Sequence, residues 1–332
     1  MDEFDSFGRR PPNHEAKYLR GRGHAQNRKK GLPSSIYPKI ALLFAVLTGL
    51  LLAIGYVVGL YFFGDPFGVM AFALVLAAAF NFASYYFSDS IVIRMSRARI
   101  VQENESPVLF RAVRSVAQRA GIPMPKVGIV ESPQPNAFAT GRGPGRAVVC
   151  ATSGILQALT PGELEAVIGH EIGHVVHRDV LMSSVAATMA GAISYIGNMA
   201  MYSLWWGGNG RNRGGGNAVF LILAIVLVPL GATFIQMGIS RGDEYSADEY
   251  GAKLTRSPTE LISALQKISD RSKTKPISGG RGQGPSPATA SLWIVNPFKG
   301  NSLVELFSTH PSLPHRVERL KRVAREMNLY IP

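Results

Sequence analysis

A chain of 332 residues with mean hydropathy +0.11 and only 17% charged residues is too apolar for an ordinary soluble enzyme, so part of it belongs in lipid. The net charge of +13 comes without an RNP, zinc-finger or helix-turn-helix pattern, and no nucleic-acid partner is expected. The lone Cys150 excludes an internal disulfide framework and a cysteine-based zinc site, which leaves His and carboxylates as the only available metal ligands.

Residues 1–39 are rich in Pro, Gly and Arg and lack apolar periodicity, which predicts a disordered basic tail. Beside a membrane segment its charge suits chain orientation and attraction to anionic lipid headgroups. Ile40 to Phe63 and Phe67 to Phe87 carry no ionisable side chain, and each reaches the roughly 20 residues needed to cross a hydrocarbon core. Gly64-Asp65-Pro66 joins them as a tight hairpin. The first run exceeds the roughly 7–15 residues of a signal-peptide core and starts well inside the chain, so a cleaved leader is a poor account of it.

A small sheet is predicted around Lys126–Glu131, Asn136–Thr140 and Ala147–Ala151. Val180 to Trp206 and Ala218 to Ile239 form a second uncharged pair, separated by GGNGRNRGGGN, with Trp205 and Trp206 where an interfacial aromatic belt belongs. Pro229 predicts a kink that neighbouring helices accommodate. A pair of buried core helices is the alternative for these two segments. The Lys and Arg residues before the first span, with Arg94, Arg97 and Arg99 after the second, put both flanks in the cytoplasm by the positive-inside rule. Arg211 and Arg213 point weakly the other way. The stretch from about 272 to 289, SKTKPISGGRGQGPSPAT, reads as a flexible loop, either near a substrate entrance or a tolerated insertion.

The chemistry concentrates in EAVIGHEIGHVVHRD, Glu165 to Asp179. Thr160, Pro161 and Glu163 supply a capping box that starts a helix at Pro161 and fixes its register. His170 and His174 then stand one turn apart on one face, the spacing that lets two imidazoles meet one tetrahedral ion. Glu171 is rotated by about 100° from them, too far to ligate and close enough to reach a bound water as general base. His177, two turns from His170, drifts too far along the axis to share the ion and reads as a histidine of the helix surface or of the ligands' surroundings. With His177 and Val180 in place of the Gly and His of the metzincin pattern, that class is excluded. The best source of a third ligand is SRGDEYSADEYGA, Ser240 to Ala252, where Glu244 and Asp248 share a helix face. Glu244 completes a His₂Glu set with an open fourth position, and Asp248 can orient a ligand histidine through its second ring nitrogen. Asp243 and Glu249 read as surface charge. A plain acidic helix face is the alternative for this stretch taken alone.

These motifs, with NAFATG (Asn136 to Gly141), ATSGILQALTPGELEAVIGHEIGH, ATASLWIVNP (Ala288 to Pro297) and STHPSLPHR (Ser308 to Arg316), resemble the HtpX-like integral-membrane zinc metalloproteases, relatives of the CAAX prenyl proteases. The likeness runs from about residue 40 onward. It implies one Zn²⁺ held by His170, His174 and Glu244, with Glu171 as base and Asp248 and Asp179 orienting the ligands. It also implies that Asn136 and Ala137 belong to an edge strand that pairs with substrate, and that His310 and Arg316 stabilise the oxyanion. Ser312 departs from the family pattern, which has a second Pro there. The substrates it implies are unfolded, misfolded or damaged membrane proteins.

The fold class expected is therefore α+β: a multi-pass helical membrane protein with four transmembrane helices and a zincin-like (gluzincin) catalytic domain facing the cytoplasm of the cell inner membrane. The domains expected are the tail (1–39), a transmembrane hairpin (40–87), a first catalytic part (88–179), a second hairpin (180–239) and a second catalytic part (240–332). A CAAX-type prenyl-protein peptidase competes with the same chemistry, although four spans give less room to enclose a lipidated peptide. A transporter or channel competes from another class, but no span carries the ionisable residue that a substrate pathway through lipid usually needs.

Overall fold

The protein is described from a computed structural model that covers residues 36–206, 240–274, 292, 294 and 311–330, with the backbone alone for 196–206 and 273–274. The basic tail up to residue 35, the fourth expected span, most of the 272–289 loop and His310 lie outside these residues.

Helix α1, Ile36–Val58, runs into a π-helical turn, Gly59–Phe63, and the chain reverses at Gly64, whose left-handed φ of 66° favours glycine. Asp65 caps α2, Pro66–Tyr86, its Oδ1 accepting from the Gly68 amide at 2.9 Å, and Pro66 takes the first helical position, where it gives up no bond. Two close approaches set this hairpin. A Cβ on Gly55 would come within 2.8 Å of the Ala73 Cβ, and one on Gly59 within 2.6 Å of the Asp65 carbonyl oxygen.

Ile36–Phe63 and Pro66–Tyr86 are long and apolar enough to cross a membrane. Their outward faces are apolar as well: Phe63, Phe67, Phe72 and Val75 are all exposed. A core helix of a soluble protein would bury those side chains; lipid would cover them. Helix α1 starts four residues before the span read from the sequence, because Ile36 buries with Ile40 in the same cluster and Pro38 is tolerated in a first turn.

After α3 (Ser88–Met95) comes a four-stranded sheet with the order β1-β2-β4-β3. Its strands are β1 (Arg99–Ile100), β2 (Lys126–Val130), β3 (Ala137–Thr140) and β4 (Val148–Thr152), with β2 and β4 parallel and the other pairs antiparallel. Three of these were expected. Strand β1 was not, since two exposed residues show no alternation.

Helices α4 (Pro107–Ala120), α5 (Ser153–Ala158), α6 (Pro161–His177), α8 (Arg241–Thr255), α9 (Pro258–Thr274) and α10 (Leu313–Glu326) follow in chain order. One core joins Val113 and Val116 of α4, Val127 and Val149 of the sheet, Val167, Ile168 and Ile172 of α6, Leu265 of α9 and Leu320 of α10. Arg178, left-handed at φ 68°, ends α6 and lets α7 (Asp179–Trp206) start at once as a continuous 28-residue helix. Leu181, Val185 and Met189 of α7 pack on Ile40, Leu43 and Leu47 of α1, so α6 is followed directly by a helix that docks on the hairpin.

Candidate metal centre

Both helices that carry candidate ligands start at a capping box. In α6 the Glu163 amide donates to Thr160 Oγ1 at 3.3 Å and the Thr160 amide to Glu163 Oε2 at 2.8 Å, as the sequence predicted. Glu163 does more: its carboxylate also accepts from Ser263 Oγ and Lys267 Nζ of α9, at 2.6 and 2.8 Å. Burial works to raise its pKa, but Lys267, Ser263 and the Thr160 amide outweigh that and hold it below the usual value. In α8 the partners are Ser240 and Asp243, each amide bonding the other's side chain at 3.1 Å. Asp243, taken from the sequence as surface charge, is thus half of a cap, and the S-x-x-D spacing was its signal.

Helices α6 and α8 meet backbone to backbone. A Cβ on Gly251 would lie 2.6 Å from the His170 amide nitrogen, one on Gly169 3.2 Å from the Gly251 carbonyl oxygen, and one on Gly173 3.1 Å from the Ala247 Cα. Side chains of ordinary size would hold the helices farther apart. This contact brings the imidazoles of one helix to the carboxylate of the other.

His170 Nε2 and His174 Nε2 stand 3.2 Å apart, and Glu244 places Oε1 3.4 Å from His174 Nε2 and Oε2 3.8 Å from His170 Nε2. Three ligands at about 2.0 Å from a tetrahedral ion lie about 3.3 Å from one another, so these atoms fit one zinc. The other ring nitrogens are taken. His170 Nδ1 meets Asp248 Oδ1 at 2.9 Å and His174 Nδ1 meets Asp179 Oδ2 at 3.0 Å. Each carboxylate calls for a proton on Nδ1, which turns two unprotonated Nε2 lone pairs and a carboxylate on one another in a buried space. Only a cation resolves that arrangement without loss. Burial depresses His170 against the pull of Asp248, whereas in His174 burial is outweighed by Asp179 and Glu244, which hold the ring well above its usual value.

Glu171 lies beside this set, buried, with Oε2 accepting from the Ala139 amide at 2.9 Å. Burial and the nearby Glu244 push its carboxyl up to about 8 against the opposing pull of His174, the Ala139 amide and Arg316. Strand β3 is an edge strand, and the Ala139 amide points away from β4 towards α6; Ala137, two residues earlier, faces the same way. Residues 136–140 are all buried, so this edge is covered. Asn136 Oδ1 accepts from the Ile294 amide at 3.0 Å, while its Nδ2 has no partner among the described residues.

Arg316 sits behind His170. Its Nε donates to Asp248 Oδ2 at 2.8 Å, Nη2 to Asp248 Oδ1 at 2.6 Å and Nη1 to the Ile294 carbonyl at 3.1 Å. His177 stays out of the metal group, its ring set edge-on to Tyr250 at 5.3 Å. The Ala139 amide, the Ile294 peptide and the link from Glu163 to α9 escaped the sequence reading. The first two act through main chain, which carries no residue-type signal, and the third spans about a hundred residues.

Two imidazoles from an H-E-x-x-H helix, a glutamate from a second helix and a buried glutamate alongside define a zinc metalloprotease, a hydrolase of peptide bonds. Residues 103–324 match peptidase family M48, and the chain belongs to that family. It is 50% identical to the protease HtpX homolog of Pyrococcus furiosus over 294 residues, which cover 89% of this chain and 98% of that one. The HtpX homolog of Thermococcus sibiricus is 49% identical, covering 88% and 97% of the two chains, and that of Aquifex aeolicus 46%, covering 84% and 90%. The crystal structure of S. mikatae Ste24p aligns with a TM-score of 0.42 at 19% identity, covering 85% of this chain and 64% of that one.

Proposed function

We propose that this M48 zinc metalloprotease is a four-pass membrane endopeptidase that cuts unfolded or damaged membrane proteins on the cytoplasmic side of the cell membrane. The observation that carries the catalytic part is the convergence of His170, His174 and Glu244 on one ion position with Glu171 beside it. The substrate class rests on the resemblance to the HtpX-like proteases.

Bound zinc supplies Lewis acidity, polarising a peptide carbonyl and making water a stronger acid. Asp179 and Asp248 fix the proton on the outer nitrogen of each imidazole and aim the inner one at the ion position. Glu171 takes a proton from the attacking water and returns it to the leaving amine. The Ala139 amide pins Oε2 and leaves Oε1 to carry that proton. The substrate backbone docks along the outer edge of β3 from Asn136 and Ala137, where main-chain pairing supplies affinity without demanding sequence.

The test is cleavage of casein and of an unfolded membrane protein by the full chain in detergent, with and without chelator and beside Glu171→Gln. Cleavage should vanish with chelator and return with zinc. Glu171→Gln should lose about a hundred- to ten-thousandfold in rate while keeping its metal. Cleavage of a prenylated peptide with none of unfolded proteins would overturn the substrate class.

A further inference from the structure

Arg316 is among the largest fully buried side chains of the described residues, an unusual place for a permanent charge. Its planar fork spans both oxygens of Asp248, at 2.8 and 2.6 Å, and Asp248 Oδ1 is the same atom that meets His170 Nδ1 at 2.9 Å. The remaining nitrogen, Nη1, donates to the Ile294 carbonyl at 3.1 Å and stands 3.5 Å from Glu244 Oε2. One guanidinium therefore touches the carboxylate that orients one zinc ligand and also approaches a second ligand. The amide of the same Ile294 donates to Asn136 Oδ1, at the start of β3.

We infer that Arg316 is a positioning residue of the metal site: it sets the plane of Asp248, and through it the His170 ring, and ties both to the start of β3 through the Ile294 peptide. This departs from the oxyanion role implied by the resemblance and rests on the zinc-protease reading of the site. The reason is occupancy. Three of its five N–H groups are taken by Asp248 and the Ile294 carbonyl, and the other two, on Nη1 and Nη2, stand beside Glu244 Oε2 and His170 Nδ1, each at 3.5 Å. Turning the guanidinium to a reacting carbonyl would therefore pull it from Asp248 or Ile294 and leave a buried acceptor without its donor. A lysine brings a point charge and no fork, so it cannot hold both Asp248 oxygens and Ile294 together.

A double-mutant cycle on zinc retention tests this, using Arg316→Met, Asp248→Asn, the pair together, and Arg316→Lys in the full chain. Zinc is titrated against a chelator, and kcat and KM are measured at saturating zinc. Asp248→Asn should raise the zinc dissociation constant about 10- to 100-fold. Adding Arg316→Met to it should change that constant by less than about twofold, because the arginine acts through the carboxylate. Arg316→Lys should fall between the wild type and Asp248→Asn, with KM unmoved. Arg316→Met alone leaves a buried unpaired carboxylate and risks misfolding, whereas the pair removes both charges and keeps the cycle readable. The inference is overturned if Arg316→Met, alone or added to Asp248→Asn, lowers kcat a hundredfold while zinc retention matches its parent; the guanidinium would then serve the transition state. The zinc readout needs no cleavage, so failure of the proposed proteolysis is not mistaken for failure of this inference.

Discussion

In the α1–α2 hairpin, Gly55 and Gly59 let two helices close, and in the α6–α8 pair Gly169, Gly173 and Gly251 do the same. What the two pairs turn outward differs. The hairpin exposes Phe63, Phe67, Phe72 and Val75, while α6 and α8 turn His170, His174, Glu171, Glu244 and Asp248 inward and bury them. Close helix contact is thus a neutral device. In one place it serves a body that fits lipid, where small residues replace the missing hydrophobic drive. In the other it delivers polar groups to within one ion's reach of each other, and their desolvation is offset by paired carboxylates, Arg316 and the metal they fit.

The comparison breaks most sharply at Gly251. Replacing it with Ala puts a methyl 2.6 Å from the His170 amide, so α6 and α8 must separate. Zinc retention and proteolysis should both be lost, read by metal content and casein cleavage. The matching change in the hairpin, Gly55→Val, should force α1 from α2 at Ala73, costing about 1–3 kcal/mol of stability while bound zinc stays at wild-type content. If Gly55→Val also empties the metal site, the two regions are not independent.

The smallest effect is at Glu163, whose carboxylate caps α6 and grips α9. Glu163→Gln should cost about 1 kcal/mol at neutral pH. Because the folded pKa is depressed, the stability that Glu163 adds is complete above its ordinary value of 4.5 and fades as pH falls through the lowered one. The gap between the wild type and Glu163→Gln in denaturant midpoint should therefore close on acidification.

The sequence carried the elements that depend on spacing within one segment. The Thr160 capping box, the His170–His174 turn and the Glu244–Asp248 face all follow from helix periodicity, as does the Gly64-Asp65-Pro66 reversal from the conformations those residues favour. Apart from the His170, His174 and Glu244 set itself, it did not carry what depends on which segments meet. Gly169, Gly173 and Gly251 look alike whether they pack or merely bend a helix; only the fold pairs them. The Ala139 amide on Glu171 and the Ile294 peptide between Asn136 and Arg316 are main-chain contacts open to any residue type. Arg316 was singled out as a cation at the site, but from sequence nothing distinguishes one aimed at substrate from one clasped by Asp248.

The most direct test of the central claim is X-ray absorption at the zinc edge of the Glu171→Gln protein, which is expected to hold metal without turning over. The account predicts two imidazole nitrogens and one carboxylate oxygen at about 2.0–2.2 Å, with the oxygen lost and zinc loosened in Glu244→Gln. A shell without imidazole, or one that is unchanged when Glu244 is replaced, would contradict it.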